Sequence, residues 1–173
     1  MLLRKSIFAF AIIAFALSMH SPTVQSQTKQ SQTNNKQQQA HLAATAKTMH
    51  VLGTWQGTTP CADCSGIITT LTLYQKAPND FTDAVYRLNM KYIDRGSFAT
   101  YGTWTILRGR PDDANATVYQ LDPDKPQGTQ YYLRIDDDTL QQLDRERKPI
   151  DSPPDSKMNF TLKRIAESHP TSR

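Results

Sequence analysis

The sequence predicts an all-β fold, a small antiparallel up-and-down β-barrel of about eight strands. Three observations point there. Apolar and polar residues alternate with a period of two in stretch after stretch beyond residue 48, which is the pattern of half-buried strands. Clusters of Gly, Pro, Asn and Asp separate those stretches at short intervals, and that is turn chemistry. No stretch beyond the apolar N-terminal run carries a convincing period of 3.6, and a meander that closes on itself hides its own edges.

Taken in order, the 173-residue chain opens with Arg4 and Lys5, then an apolar run from Ile7 to Met19, then Ser21-Pro22 and the small-residue stretch Val24-Gln25-Ser26. A basic opening, an apolar centre and small residues before the cut make residues 1–26 a signal peptide cleaved after Ser26. The run falls short of the roughly 20 residues a membrane-spanning helix needs. Cleavage removes two of the 20 basic residues and none of the 16 acidic ones. The small charge that remains gives no strong field, so neither nucleic acid nor a membrane surface is an expected partner. Neither cysteine lies near the cut. The expected product is therefore a periplasmic protein that is not a lipoprotein and keeps no membrane anchor. Residues 27–47 are rich in Gln, Thr, Asn, Ser and Lys, too poor in apolar surface to offset their ordering entropy, and read as a flexible polar linker. Residues 48–165 form one domain of single-core size, and 166–173 are a tail.

Within the domain the first strand is expected over Val51–Gly57. In Ile67–Tyr74 the apolar positions 67, 71 and 73 face one way, and in Tyr86–Tyr92 the alternation is complete. Tyr131–Ile135 and Met158–Lys163 repeat it, and further strands are expected at Phe98–Leu107, Thr117–Leu121 and Thr139–Asp144. Turns fall at Ala77–Asp80, Arg108–Asp113, Asp122–Gly128 and Asp136–Asp138, with a longer loop at Pro149–Pro154. Gly-Thr-Trp occurs at Gly53-Thr54-Trp55 and again at Gly102-Thr103-Trp104. Each glycine permits close backbone approach at a barrel rim, and each tryptophan can plug an end of the core. A Gly-X-Trp on the first strand is also a feature of lipocalin-type barrels.

The chemistry is concentrated in Pro60-Cys61-Ala62-Asp63-Cys64-Ser65-Gly66, which holds both cysteines of the chain. Three readings stay open. In an oxidising compartment Cys61 and Cys64 are joined as a disulfide that closes a very small loop. As thiolates they can both turn toward one Cu(I) ion, which accepts two or three sulfur ligands where zinc takes four. Met49-His50 could add a thioether or an imidazole to such a site, but read first as linker residues ahead of the first strand. As an exchange pair they lack the helix N-terminus that lowers a thiol pKa. Enzymatic readings fail on inventory. His41, His50 and His169 all lie outside the expected strands, which leaves a Ser-His-Asp site without a base. No glycine-rich phosphate loop is present. Asp136-Asp137-Asp138 lacks calcium-loop spacing, and Arg145–Lys148 reads as a solvated hairpin tip.

Taken together, Gly53-Thr54-Trp55, Pro60–Ile67 leading into Thr69–Leu73, Ser97–Trp104, Tyr131–Leu133 and Leu143–Glu146 with Pro149-Ile150 resemble the N-terminal domain of the NlpE family. These are bacterial envelope proteins called copper-resistance or copper-homeostasis proteins. The resemblance implies a lipocalin-like barrel, a link to copper tolerance, and envelope-stress signalling through a two-component sensor kinase. It makes Cys61 and Cys64 the Cu(I)-binding or redox-reporting pair of a protein that is not an enzyme. The alternative is a lipocalin-like carrier of a small apolar ligand, with the same pair as a structural disulfide.

Overall fold

The computed structural model describes residues 24–150 and 159–165, with side chains described from residue 30 onward. The expected signal segment through residue 23, the end of the Pro149–Pro154 loop with Met158, and the 166–173 tail lie outside the described residues. The chain divides into two compact units, 1–34 and 35–173.

Helix α1 spans Val24–Ala46. This corrects the reading of residues 27–47 as a flexible linker. Between Val24 and Leu52 there is neither glycine nor proline, and Gln, Lys and Ala are good helix formers. The helix has no apolar stripe, so no amphipathic period marks it in the sequence. Its last turns belong to the second unit, where Ala46 is buried. There the side-chain amide of Gln39 serves as a substitute strand. Its Nε2 donates to Tyr101 O (2.8 Å), and its Oε1 accepts from Tyr101 N–H (2.7 Å).

Eight strands follow: β1 (His50–Thr59), β2 (Ile67–Gln75), β3 (Val85–Tyr92), β4 (Gly96–Arg110), β5 (Asp113–Leu121), β6 (Gln130–Arg134), β7 (Thr139–Leu143) and β8 (Thr161–Arg164). Each pairs antiparallel with its neighbours in chain order, and β8 returns to β1 to close the barrel. The all-β, eight-stranded expectation holds, and every predicted strand overlaps an observed one. β4 is long because it serves two partners in succession. Residues 96–103 pair with β3, and 104 onward with β5. Tyr101 lies before the β5 pairing begins, which is why Gln39 can reach its backbone.

Alternation delivers the core. Trp55, Leu71, Leu73, Tyr86, Leu88, Leu121, Tyr132, Leu140 and Leu162 are each at most 2% exposed and fill the interior. Removing Leu71 or Leu73 from water contributes about 2 kcal/mol each. The two tryptophans do not plug opposite ends. Both meet Tyr119, at 6.4 Å from Trp55 and 5.3 Å from Trp104, and Phe81 packs edge-on against Trp104 at 5.4 Å. They form one aromatic layer toward the end where β2 turns into β3. The glycines of the repeated Gly-Thr-Trp are steric requirements. A Cβ on Gly53 would collide with Arg164 and Trp55, and one on Gly102 with Tyr86 and Asp122. Tyr86 donates its hydroxyl proton to Asp122 Oδ2 at 2.7 Å, so Gly102 makes room for a hydrogen bond between strand β3 and the end of β5.

Candidate functional site

Strand β1 ends at Thr59, whose hydroxyl shares a 3.2 Å hydrogen bond with that of Thr69, both of them buried. Pro60 cannot continue the ladder. Residues 60–66 then reverse the chain so that Ile67 opens β2 opposite Thr59. Gly66 makes the last step with φ of +145°, a region that side chains disfavour. Inside this turn Cys61 and Cys64 are joined in a disulfide with Cα atoms 5.3 Å apart. Of the three readings left open by the sequence, the bonded pair is the state observed. Both cysteines are half-buried, while Ala62, Asp63 and Ser65 are exposed.

A residue with no local signal in the sequence holds the turn. Arg95, in the connection between β3 and β4, donates from Nη1 to Asp63 Oδ2 at 2.7 Å and from Nη2 to the Asp63 carbonyl. The β3–β4 connection is itself tied to the turn by Ile93 N–H donating to Gly66 O at 3.0 Å. Arg95 and Asp63 are 32 positions apart, so only the meander brings them together. The ion pair is exposed and by itself contributes at most about 1 kcal/mol. The forked geometry fixes orientation more than it adds stability. Cys61 Sγ lies 3.6 Å from Asp63 Oδ1 and Cys64 Sγ 3.4 Å from Gly66 O. Beneath the turn is a cavity of about 210 Å³ lined by Pro60, Ile67, Met90 and Tyr132 among others. Burial pushes the Tyr132 phenol well above its ordinary pKa, so it stays neutral there.

The donor set available to a metal is narrow. Among the described residues no group of three or more His, Cys, Asp or Glu side chains converges. Two sulfurs in one turn suit Cu(I) after reduction and do not suit zinc. His50 cannot join them. It begins β1, pairing with Gln75 at the far end of the barrel, and at roughly 3.3 Å per residue β1 carries it about 30 Å from the turn. Met49, beside it, is equally remote. Gly53, Trp55, Gly102 and Trp104 build the wall and the aromatic layer and do not touch the disulfide.

Residues 55–153 match the family described as the NlpE N-terminal domain. Lipoprotein NlpE of Escherichia coli strain K12 is 34% identical over 120 residues, which cover 67% of this chain and 42% of that protein. A crystal structure titled the Cpx pathway activator NlpE from Escherichia coli is 29% identical, covers 68% of this chain and 52% of its own, and superposes with a TM-score of 0.40. A crystal structure from Shewanella oneidensis is 22% identical, covers 66% and 89% respectively, and has a TM-score of 0.43. The chain spans about half the length of the Escherichia coli proteins it matches.

One expectation is overturned here. The relative is named a lipoprotein, against the reading of this chain as a periplasmic protein that is not one. That reading rested on the missing thiol near Ser26, which bears on one attachment point and not on the class of the protein. With a family model that covers more than half of its residues, on a closed barrel whose rim carries the Cys61–Cys64 turn, the chain belongs to the NlpE family through its N-terminal domain.

Proposed function

We propose that this chain is an exported, non-enzymatic protein of envelope-stress sensing and copper tolerance, and that the Cys61–Cys64 turn is its reporting site. One observation carries the reading: the two sulfurs sit together in an exposed rim turn held from outside by Arg95, not in the packed interior. A cellular thiol reductant supplies two electrons and two protons, which opens the disulfide to two thiols. Cu(I) then displaces both protons and bridges the sulfurs. Reversal by an oxidant restores the closed turn. Either event alters the segment that Arg95 holds, and so alters the rim surface offered to a partner. A related Escherichia coli protein is titled a Cpx pathway activator, and a sensor kinase of the envelope is the matching partner class. The alternative, a carrier with its ligand inside the barrel, finds no support in an interior occupied by Trp55, Tyr86, Tyr132 and six leucines.

The test is titration of the reduced protein with Cu(I) against a chromophoric chelator, in parallel with Cys61→Ser/Cys64→Ser. One equivalent bound by the parent and none by the variant supports the reading. Equal binding by both ends the copper assignment.

A further inference from the structure

Strand β4 leaves part of one edge unpaired. Residues 96–103 pair with β3 on one side, but β5 joins the other side only from Trp104. Before that point every second residue turns its backbone groups away from β3. Thr103 O accepts from Asp122 N–H at 2.8 Å, and both backbone groups of Tyr101 are taken by the Gln39 side chain. By the same parity the N–H and C=O of Ala99 and Ser97 point outward too. These four groups have no hydrogen-bond partner among the described residues, and both residues are exposed. An open row of N–H and C=O groups is a template for another polypeptide backbone. The Gln39 amide, a donor and an acceptor side by side on Tyr101, shows the edge taking that chemistry.

What flanks the edge selects the partner. On the inner side Phe98 is 66% exposed and meets Tyr92 edge-on at 5.8 Å. Its ladder partner Met90 lines the cavity beneath the cysteine turn. On the outer side Arg87 and Lys91 are exposed and enter no ion pair among the described residues. Their ladder neighbours carry no charge: Thr72 and Tyr101 beside Arg87, Ile68 and Ser97 beside Lys91. The hairpin's own acid, Asp94, lies in the turn beyond Tyr92, and Asp63 is held by Arg95. Strands lie about 4.8 Å apart. Two long side chains, one from β3 and one from an added strand, therefore span the small Ser97 and Ala99 between them.

We propose that the open β4 edge accepts one strand from a partner protein, an extended segment in which acidic residues alternate with apolar ones. Its backbone completes Ser97 and Ala99, its apolar side chains lie on Phe98, and its carboxylates meet Arg87 and Lys91. The site goes beyond the cysteine turn and stands whether or not that turn binds copper.

The probe is a fluorescein-labelled peptide of alternating valine and glutamate, about six residues long, a usual strand length. Fluorescence anisotropy follows its titration with the full chain. Saturable binding is expected, about tenfold tighter than for the valine–lysine peptide, because two exposed charge pairs turn from attraction to repulsion. Full N-methylation of the peptide backbone keeps the side chains and removes the donors, and should weaken binding at least about tenfold. Ala99→Pro removes an outward N–H without breaking a bond to β3, as edge positions allow, and should weaken binding about fivefold with the urea midpoint unchanged. Two substitutions at exposed positions leave the core alone: Phe98→Ala should weaken binding about fivefold and Lys91→Gln about threefold. Equal binding of the glutamate and lysine peptides, or of the methylated and parent peptides, overturns the proposal. So does parental affinity in Phe98→Ala and Lys91→Gln. A dimer of the parent that Ala99→Pro abolishes, with no peptide bound, also overturns it, because the edge then belongs to a second copy.

Discussion

Replacing Gly102 by alanine puts a methyl group where the structure has none to spare. The new Cβ would overlap the Tyr86 ring and the Asp122 carboxylate together, and these two are joined by the 2.7 Å hydrogen bond across the β4 backbone. Overpacking of this kind costs about 1–3 kcal/mol. Displacing the ring also breaks a hydrogen bond to a charged acceptor, which costs about 1.5–3 kcal/mol. The expected total is about 3–5 kcal/mol, a drop of roughly 2 M in the urea midpoint at a slope near 2 kcal/mol/M. Tyr86→Phe alone removes the hydrogen bond and should cost about 1.5–3 kcal/mol. Once the hydroxyl is gone the ring is free to slide, so the double variant should cost less than the sum of the singles by at least about 1 kcal/mol. Urea unfolding of the four proteins in the cycle measures this directly. Additivity within about 0.5 kcal/mol would refute the claim that Gly102 exists to seat the Tyr86–Asp122 pair.

Burial raises the phenols of Tyr86, Tyr119 and Tyr132 above their ordinary value, with the Asp122 hydrogen bond adding to the effect at Tyr86. The folded protein keeps protons that the unfolded chain releases from about pH 10, so stability is level below that pH and falls above it by about 1.4 kcal/mol per pH unit for each tyrosine. A melting temperature unchanged between pH 8 and pH 11 would contradict this. Arg95→Gln should change stability by less than about 1 kcal/mol, since the pair it breaks is exposed, yet speed reduction of the disulfide by dithiothreitol; an unchanged reduction rate would show that Arg95 does not hold the turn. Cys61→Ser/Cys64→Ser should lower stability by at most about 2 kcal/mol, because a cross-link between residues three apart restrains little of the unfolded chain. A loss twice as large would make the disulfide a main support of the fold.

The barrel was legible because its signal is local and repeated. Each strand carries its own alternation, and Leu71, Leu73, Tyr86 and Leu88 sit in the core as their parity requires. Helix α1 was not legible, since it has propensity without a stripe and its anchor through Gln39 on Tyr101 depends on a gap in strand pairing. Asp63 and Cys61 were visible as a motif, but Arg95 was invisible. The partner of a turn comes from whichever hairpin the register brings beside it. Met49 and His50 stay away from the pair for a related reason: nearness in sequence to the cysteines is undone by a strand that carries the chain away from them.

The ring of strands is not equally strong all the way round. β1 and β2 share nine Cα partners, whereas β1 and β8 share two, Trp55 with Arg164 and Gln56 with Lys163, helped by Ile165 N–H donating to Thr54 O at 2.9 Å. A cylinder parts at its short welds, and both hold β8, which has three Cα partners on β7 besides the two on β1. Unzipping there peels away the shortest strand first, lifts Arg164 from Trp55 and bares one long edge of β1. The cysteine hairpin, on the flank of β1 that keeps its full ladder, stays folded through that first opening.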